Sequence, residues 1–148
     1  MINKIKSLAK ELKADIIDVR RHLHQFPCLS FEEYETAGFI HALLDSWDIE
    51  HEFLTETGIV ATIKGINPEK KTIALRADID ALPIQERNEC QYKSTVDGVM
   101  HACGHDSHMA MLLSAAEELK KKNLPQNIRF LFQPAEEGVT GAVEMVAA

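Results

Sequence analysis

Cysteine is scarce in these 148 residues, with only Cys28, Cys90 and Cys103 present. An odd count without framework spacing leaves no disulfide scaffold, and a reducing cytoplasm is the expected compartment. No C-x-x-C pair occurs, so a thiol redox role for Cys103 lacks a resolving partner. Long apolar runs are missing too, and nothing approaches the ~20 residues of a membrane span. Lys10, Glu11, Lys13 and Asp15 interrupt any secretory core, while Glu11, Asp15 and Asp18 argue against a transit peptide. Basic residues are outnumbered, 16 against 23 acidic, for a net charge of −7. That excludes nucleic acid as the main partner, because a duplex binder needs a basic face. There is no internal repeat and no low-complexity tract.

What is present suits one soluble domain, with 45% hydrophobic and 26% charged residues. Ile2, Ile5, Leu8, Leu12, Ile16, Val19 and Leu23 recur at helical steps, so the first ~23 residues are expected to form one amphipathic helix ended by Pro27. Ser30 with Glu33 three residues on has the form of a capping box opening a second helix that carries Phe31, Tyr34, Ile40, Leu43, Leu44 and Trp47. From Glu50 the pattern turns to strands, with Gly58 at a bulge or turn and Thr72 to Leu75 as a buried strand. Residues 84–99 are polar and irregular, a loop placed to wrap toward a site. A helix is expected over Asp106 to Lys122, then a strand in "NIRFLFQPAEEG" and a last helix in "AVEMVAA". This order predicts an α/β fold, a three-layer αβα sandwich around a mixed sheet, with functional groups in the strand-end loops.

Three loops carry the chemistry. In "MHACGHDSH", Cys103 and His105 stand two apart around Gly104, and only a turn lets both grip one centre. Thiolate and imidazole suit zinc and similar divalent ions, and a helix starting near Asp106 is expected to lower the thiol pKa. The plainer alternative is a structural cysteine beside surface histidines, with His101 and His108 the weaker candidates. In "FQPAEEG", Glu136 and Glu137 diverge after a strand, so one can bind a metal while the other transfers protons, unless the pair is a solvated acidic turn. In "RADIDALP", Arg76, Asp78 and Asp80 alternate and are expected on one face. Arg76 and Asp78 form a structural ion pair on one reading. On the other, Asp78 lies beneath a metal and orients a ligand.

Together with "RRHLHQFP", these motifs resemble in order and spacing the metal-dependent amidohydrolases of the aminoacylase/carboxypeptidase family. The similarity is to the branch of hippurate hydrolases, indoleacetyl-amino-acid hydrolases and N-acetyl-diaminopimelate deacetylases. The resemblance implies a zinc-peptidase-like catalytic domain and two divalent ions (zinc, manganese, cobalt or nickel) per complete site. It implies Cys103, His105 and Glu137 as metal ligands, Glu136 as general base and Asp78 as the active-site aspartate. Arg76 occupies the slot where many relatives carry a metal-binding histidine, and Cys28 stands where they carry an acidic residue. The implied reaction is hydrolysis of N-acyl amino acids, a small-molecule substrate, with no nucleic acid or membrane partner.

Every histidine of this chain precedes Glu137, whereas the family draws two further histidine ligands and a lid or dimerisation domain from downstream sequence. Residues 1–148 are therefore expected to be the N-terminal, incomplete part of the catalytic domain. Such a chain is expected to bind metal weakly and hydrolyse little. A non-catalytic remnant with a partial metal site is the alternative, and the homo-oligomer common in the family would lack its dimerisation domain.

Overall fold

In the computed structural model, which describes residues 2–138 and 140–148, the N-terminal periodicity forms helix in two pieces. These are α1 (Ile2–Glu11) and α2 (Lys13–Gln25). The interruption at Leu12 is slight: it keeps helical angles, and its N–H and C=O remain bonded to Leu8 and Ile16 at 3.0 Å. Burial differs sharply between the pieces. None of α1 is buried, whereas α2 buries Leu23 and His24.

The next helix corrects the expected capping box. α3 runs Tyr34–Ser46 without a side-chain cap. Phe31 at φ 67° breaks the helical path, and both supposed capping side chains are engaged elsewhere. Ser30 Oγ donates to Asp80 at 2.7 Å, and the fully buried Glu33 carboxylate accepts from Thr57 Oγ1 and the Ala135 N–H, each at 2.8 Å. Tertiary partners outcompete the local cap.

Strands β1 (Glu50–Phe53), β2 (Ile59–Ile63), β3 (Ile73–Asp78) and β4 (Ile128–Gln133) form one mixed sheet in the order β1-β2-β4-β3. β1 and β2 are an antiparallel hairpin, β2 and β4 are antiparallel, and β3 and β4 are parallel, joined through α4 (His105–Lys120). A parallel pair needs such a crossover. The short α5 (Gly141–Ala147) lies against β4. This is the α/β architecture with a mixed sheet expected from the sequence.

Register fixes the core. Ile59, Phe132 and Ala77 align across the sheet, as do Ala61, Phe130 and Leu75, and this face meets Ile40 and Leu44 of α3 and Met109, Leu113 and Ala116 of α4. Phe130 and Phe132 are wholly buried, and truncating either to alanine costs about 3–5 kcal/mol. β3 departs from the buried strand expected at 72–75. It is an edge strand among the described residues, with Ile73 45% exposed and Ala77 only 2%. Its apolar residues are covered only toward the end that lies nearer the site. No helix among the described residues is long and apolar enough to cross a membrane.

Candidate metal centre

Four segments meet beyond the C-terminal ends of β3 and β4. The Ala81 N–H donates to Cys28 O at 2.8 Å, which brings residues 26–33 alongside the chain leaving β3. Leu82 and Met100 exchange two backbone hydrogen bonds of 3.0 Å, which brings in the cysteine-histidine segment. Gly104 then takes φ +104°, a conformation costly for any residue with a side chain, and α4 starts at His105. After β4, the fully buried Ala135 sits at φ +47° and turns Glu136 and Glu137 back across the strand ends. Gly141 seals that turn, because a Cβ there would lie 1.8 Å from the Pro134 carbonyl oxygen.

Asp80 ties these segments together. Its Oδ2 accepts from Ser30 Oγ at 2.7 Å and from the Glu137 N–H at 2.9 Å, and its Oδ1 lies 3.3 Å from His105 Nδ1. His105 Nδ1 is also 2.9 Å from the Asp80 carbonyl oxygen, which can only accept. The ring proton therefore belongs on Nδ1, and Nε2, 3.8 Å from Glu136 Oε2, is the nitrogen free to bind a metal. Burial works to raise the Asp80 pKa, but the hydrogen bonds from His105, Ser30 and Glu137 hold it below the usual carboxylate range. The Asp80 hydrogen bond lifts His105 to about 9 against the opposing effect of burial.

Cys103, His105 and Glu137 each offer one ligand atom, and these atoms all lie within 4.8 Å of one another. The structure thus brings together the three residues the sequence singled out, with the partly exposed Glu136 beside them. One electrostatic expectation is reversed. The Cys103 thiol pKa is raised, by loss of hydration first, then by its hydrogen bond to Glu137 and the charges of Glu137, Glu136 and Asp80. Cys103 also stands outside α4, whose first residue lies beyond Gly104. Sulfur, imidazole and carboxylate oxygen held this close, within a ring of negative charge, fit a late divalent ion.

Of the two readings of Asp78, the geometry favours the ion pair with Arg76. The contact that orients His105 comes from Asp80, two residues on, whereas Asp78 faces Arg76, its Oδ1 3.0 Å from Arg76 Nε. The single face expected for Arg76, Asp78 and Asp80 does not extend that far, because β3 ends at Asp78.

Further residues at the site escaped the sequence argument. Asp106, fully buried at the start of α4, accepts from His24 Nδ1 at 2.6 Å and Arg20 Nε at 2.9 Å. His24 Nε2 lies 3.2 Å from the buried Glu86, which also accepts from the Ser94 N–H at 2.6 Å. The "RRHLH" stretch thereby clamps α4 and the 84–99 loop to α2. A cleft of about 470 Å³ borders this network and reaches Cys103 and His101. His101 is buried, finds no hydrogen-bond partner among the described residues, and is pushed by burial to a pKa of about 4. His108 is exposed, its ring centroid 5.9 Å from that of His105.

Comparison with known proteins gives a consistent picture. Residues 74–148 match peptidase family M20/M25/M40. A Staphylococcus aureus protein named an uncharacterized hydrolase is 49% identical over 133 residues, covering 87% of this chain and 34% of that protein. Thermostable carboxypeptidase 1 of Saccharolobus solfataricus is 44% identical over 154 residues, covering 100% of this chain and 39% of that protein. The solved YXEP protein of Bacillus subtilis, described as a dinuclear metal binding peptidase from the M20 family, superposes with a TM-score of 0.88. It is 44% identical and matches 93% of this chain and 40% of that one. The chain thus spans about a third to two fifths of the relatives it matches.

Proposed function

The chain belongs to peptidase family M20/M25/M40, and from that premise we propose that its site serves metal-dependent hydrolysis of the amide bond of N-acyl amino acids. The observation that carries this is the convergence of Cys103, His105 and Glu137 within 4.8 Å, with Glu136 beside them. The motifs around these residues, which resemble those of the amidohydrolase branch, support the substrate class. In this reading Cys103, His105 and Glu137 hold divalent metal. Bound there, such ions acidify a water and polarise the acyl carbonyl. Glu136 accepts a proton from the attacking water and returns it to the leaving nitrogen, so that the C–N bond breaks to give a carboxylate and a free amino acid. Asp80 holds the His105 ring so that Nε2 would be free to bind a metal, and Ser30 and the Glu137 N–H keep Asp80 itself in place.

One observation favours a second reading, in which the chain keeps a metal without catalysis. Among the described residues this centre gathers three donors, few for two ions. The same count predicts slow turnover under the first reading. The test is to measure metal per chain by mass spectrometry and assay release of amino acid from N-acetyl and N-benzoyl substrates, with Glu136→Gln as control. The proposal expects slow, metal-dependent hydrolysis that Glu136→Gln lowers about 10²–10⁴-fold while metal content is kept. Metal bound through Cys103 with no hydrolysis overturns it in favour of the second reading. Turnover comparable to a full-length relative overturns the expectation of slow activity.

A further inference from the structure

At the other edge of the sheet, about three strand spacings or ~14 Å from β3, a second group of donors collects on α3 and β1. His41 and Asp45 lie one turn apart on α3, where an i, i+4 pair shares a face. His51 comes from β1, and one ligand atom from each of the three residues lies within 4.8 Å of the others. We propose that His41, Asp45 and His51 form a separate divalent-cation site of the zinc class, fastening α3 to β1.

Proton bookkeeping shows why the cluster calls for a cation. His51 Nδ1 lies 2.8 Å from the Ile49 carbonyl oxygen, which can only accept, so this nitrogen carries the hydrogen and Nε2 presents a lone pair. That lone pair is 2.6 Å from His41 Nδ1 and 3.8 Å from Asp45 Oδ1. His41 Nε2 is in turn 3.4 Å from Asp45 Oδ2. A hydrogen on His41 Nδ1 satisfies His51 but leaves a lone pair facing the Asp45 carboxylate. A hydrogen on His41 Nε2 satisfies Asp45 but sets two imidazole lone pairs against each other. No neutral arrangement of His41 meets both contacts, and one positive centre resolves the conflict.

The spacing and surroundings suit a metal in that role. Tetrahedral zinc with nitrogen ligands at about 2.0–2.1 Å places neighbouring donors about 3.3 Å apart, so the 2.6 Å contact of His41 Nδ1 with His51 Nε2 has to open as the exposed His41 ring turns to admit the ion. Two imidazoles and a carboxylate are a donor set such ions accept. The Ile49 carbonyl behind His51 fixes its tautomer, as outer partners of metal-binding histidines do. His41 and Asp45 are 45% and 63% exposed, and Asp45 and His51 line an open groove of about 680 Å³, so water can complete the coordination. Lysines beside the groove carry their own counter-charges: Lys64 pairs with Glu50 at 2.6 Å, Lys120 with Asp48 at 3.3 Å and Lys122 with Glu118 at 3.7 Å. They do not cancel the Asp45 charge.

The test uses the full chain carrying Cys103→Ala and Glu137→Gln, which disables the other centre, so its result is independent of the amidohydrolase reading. Zinc alone is titrated by calorimetry, and cobalt(II) by absorption. The expected result is one equivalent of metal, a cobalt spectrum without a thiolate charge-transfer band, and a rise in Tm with zinc. Adding Asp45→Asn or His41→Gln, both at exposed positions that folding tolerates, should weaken binding at least ~10-fold and remove the Tm rise. His51→Gln should do the same, with circular dichroism to check folding because this side chain is buried. Nitrogen-15 shifts of the His41 and His51 rings should move on adding zinc. Failure of the disabled protein to bind zinc, with the His41 ring doubly protonated instead, overturns the proposal. Binding that ignores both Asp45→Asn and His41→Gln overturns it equally.

Discussion

Replacing Asp80 with asparagine tests the electrostatic core of the catalytic centre while conserving shape. In the metal-free protein His105 titrates at about 9 rather than 6.5, chiefly through its hydrogen bond to the Asp80 carboxylate. That gap of about 2.5 units corresponds to roughly 3 kcal/mol at 1.36 kcal/mol per unit. Both side chains are nearly inaccessible, at 4% and 0%, so solvent screening removes little of it. Because the folded-state pKa of His105 is raised, this stabilisation is fully present below about pH 6.5 and disappears as pH rises through about 9. The depressed Asp80 pKa describes the same pair from the other side. It governs loss of the interaction in acid, as pH falls through the folded value, and is not added a second time.

Asp80→Asn should therefore cost about 4 kcal/mol near pH 6.5, the roughly 3 kcal/mol of the pair plus a hydrogen-bond remainder, and shrink above pH 9 to that remainder of about 1 kcal/mol. The remainder arises because the amide oxygen can keep the bonds from Ser30 and the Glu137 N–H, which leaves the new NH₂ facing the His105 Nδ1–H, donor against donor. Urea unfolding between about pH 6 and pH 10 measures the first quantity, and the NMR titration of the His105 ring checks its origin. The ring pKa should drop from about 9 toward 6.5 in the variant. A His105 that titrates near 6.5 in the parent protein, or a destabilisation of equal size at both ends of the range, would refute the reasoning.

Two further substitutions bracket the site. Gly141→Ala places a methyl group 1.8 Å from the Pro134 carbonyl oxygen, a clash with backbone that no rotamer relieves. It should cost about 1–3 kcal/mol in thermal unfolding and weaken metal binding by displacing Glu136 and Glu137. Arg76→Ala removes the partner of Asp78, whose side chain is only 14% exposed, and should cost about 1 kcal/mol in stability, with metal content unchanged. A large loss of metal in that variant would return Asp78 to the centre.

The parts of this fold legible in the sequence are those set by local pattern. Helical periodicity located α2, α3 and α4 to within a few residues, and Gly104 marked the turn at which α4 begins. Their donor types made Cys103, His105 and Glu137 candidates, the family resemblance of their motifs singled them out as ligands, and the strand-end loops carrying them do converge. What failed depended on partners distant in sequence. Ser30 and Glu33 have the form of a capping box, yet Asp80, Thr57 and the Ala135 N–H, 24 to 102 residues away, claim their side chains. The apolar residues of β3 imply burial, but burial also requires covering elements, and strand composition carries no information about them. The thiol of Cys103 illustrates the same limit: its place before α4 suggests a thiolate, while loss of hydration first, and then carboxylates from two other segments, raise its pKa.

The exchange of Asp78 for Asp80 shows why alternation alone was unable to place the orienting carboxylate. The two positions have the same parity, so strand alternation assigns them one face and cannot separate them. Local charge can. Asp78 has Arg76 two residues back as a partner of its own strand, whereas Asp80 lies in "IDALP" with no basic neighbour. A carboxylate enclosed by Ile79, Ala81 and Leu82 is expensive to bury unless donors reach it from elsewhere. The hydroxyl of Ser30 and the N–H of Glu137 are those donors, and the His105 ring lies 3.3 Å from the other carboxylate oxygen. A buried acid stranded in an apolar run is thus a better marker of where distant segments must meet than an acid with a charged neighbour. By that criterion Asp80 was the residue in "RADIDALP" with the stronger claim on the site.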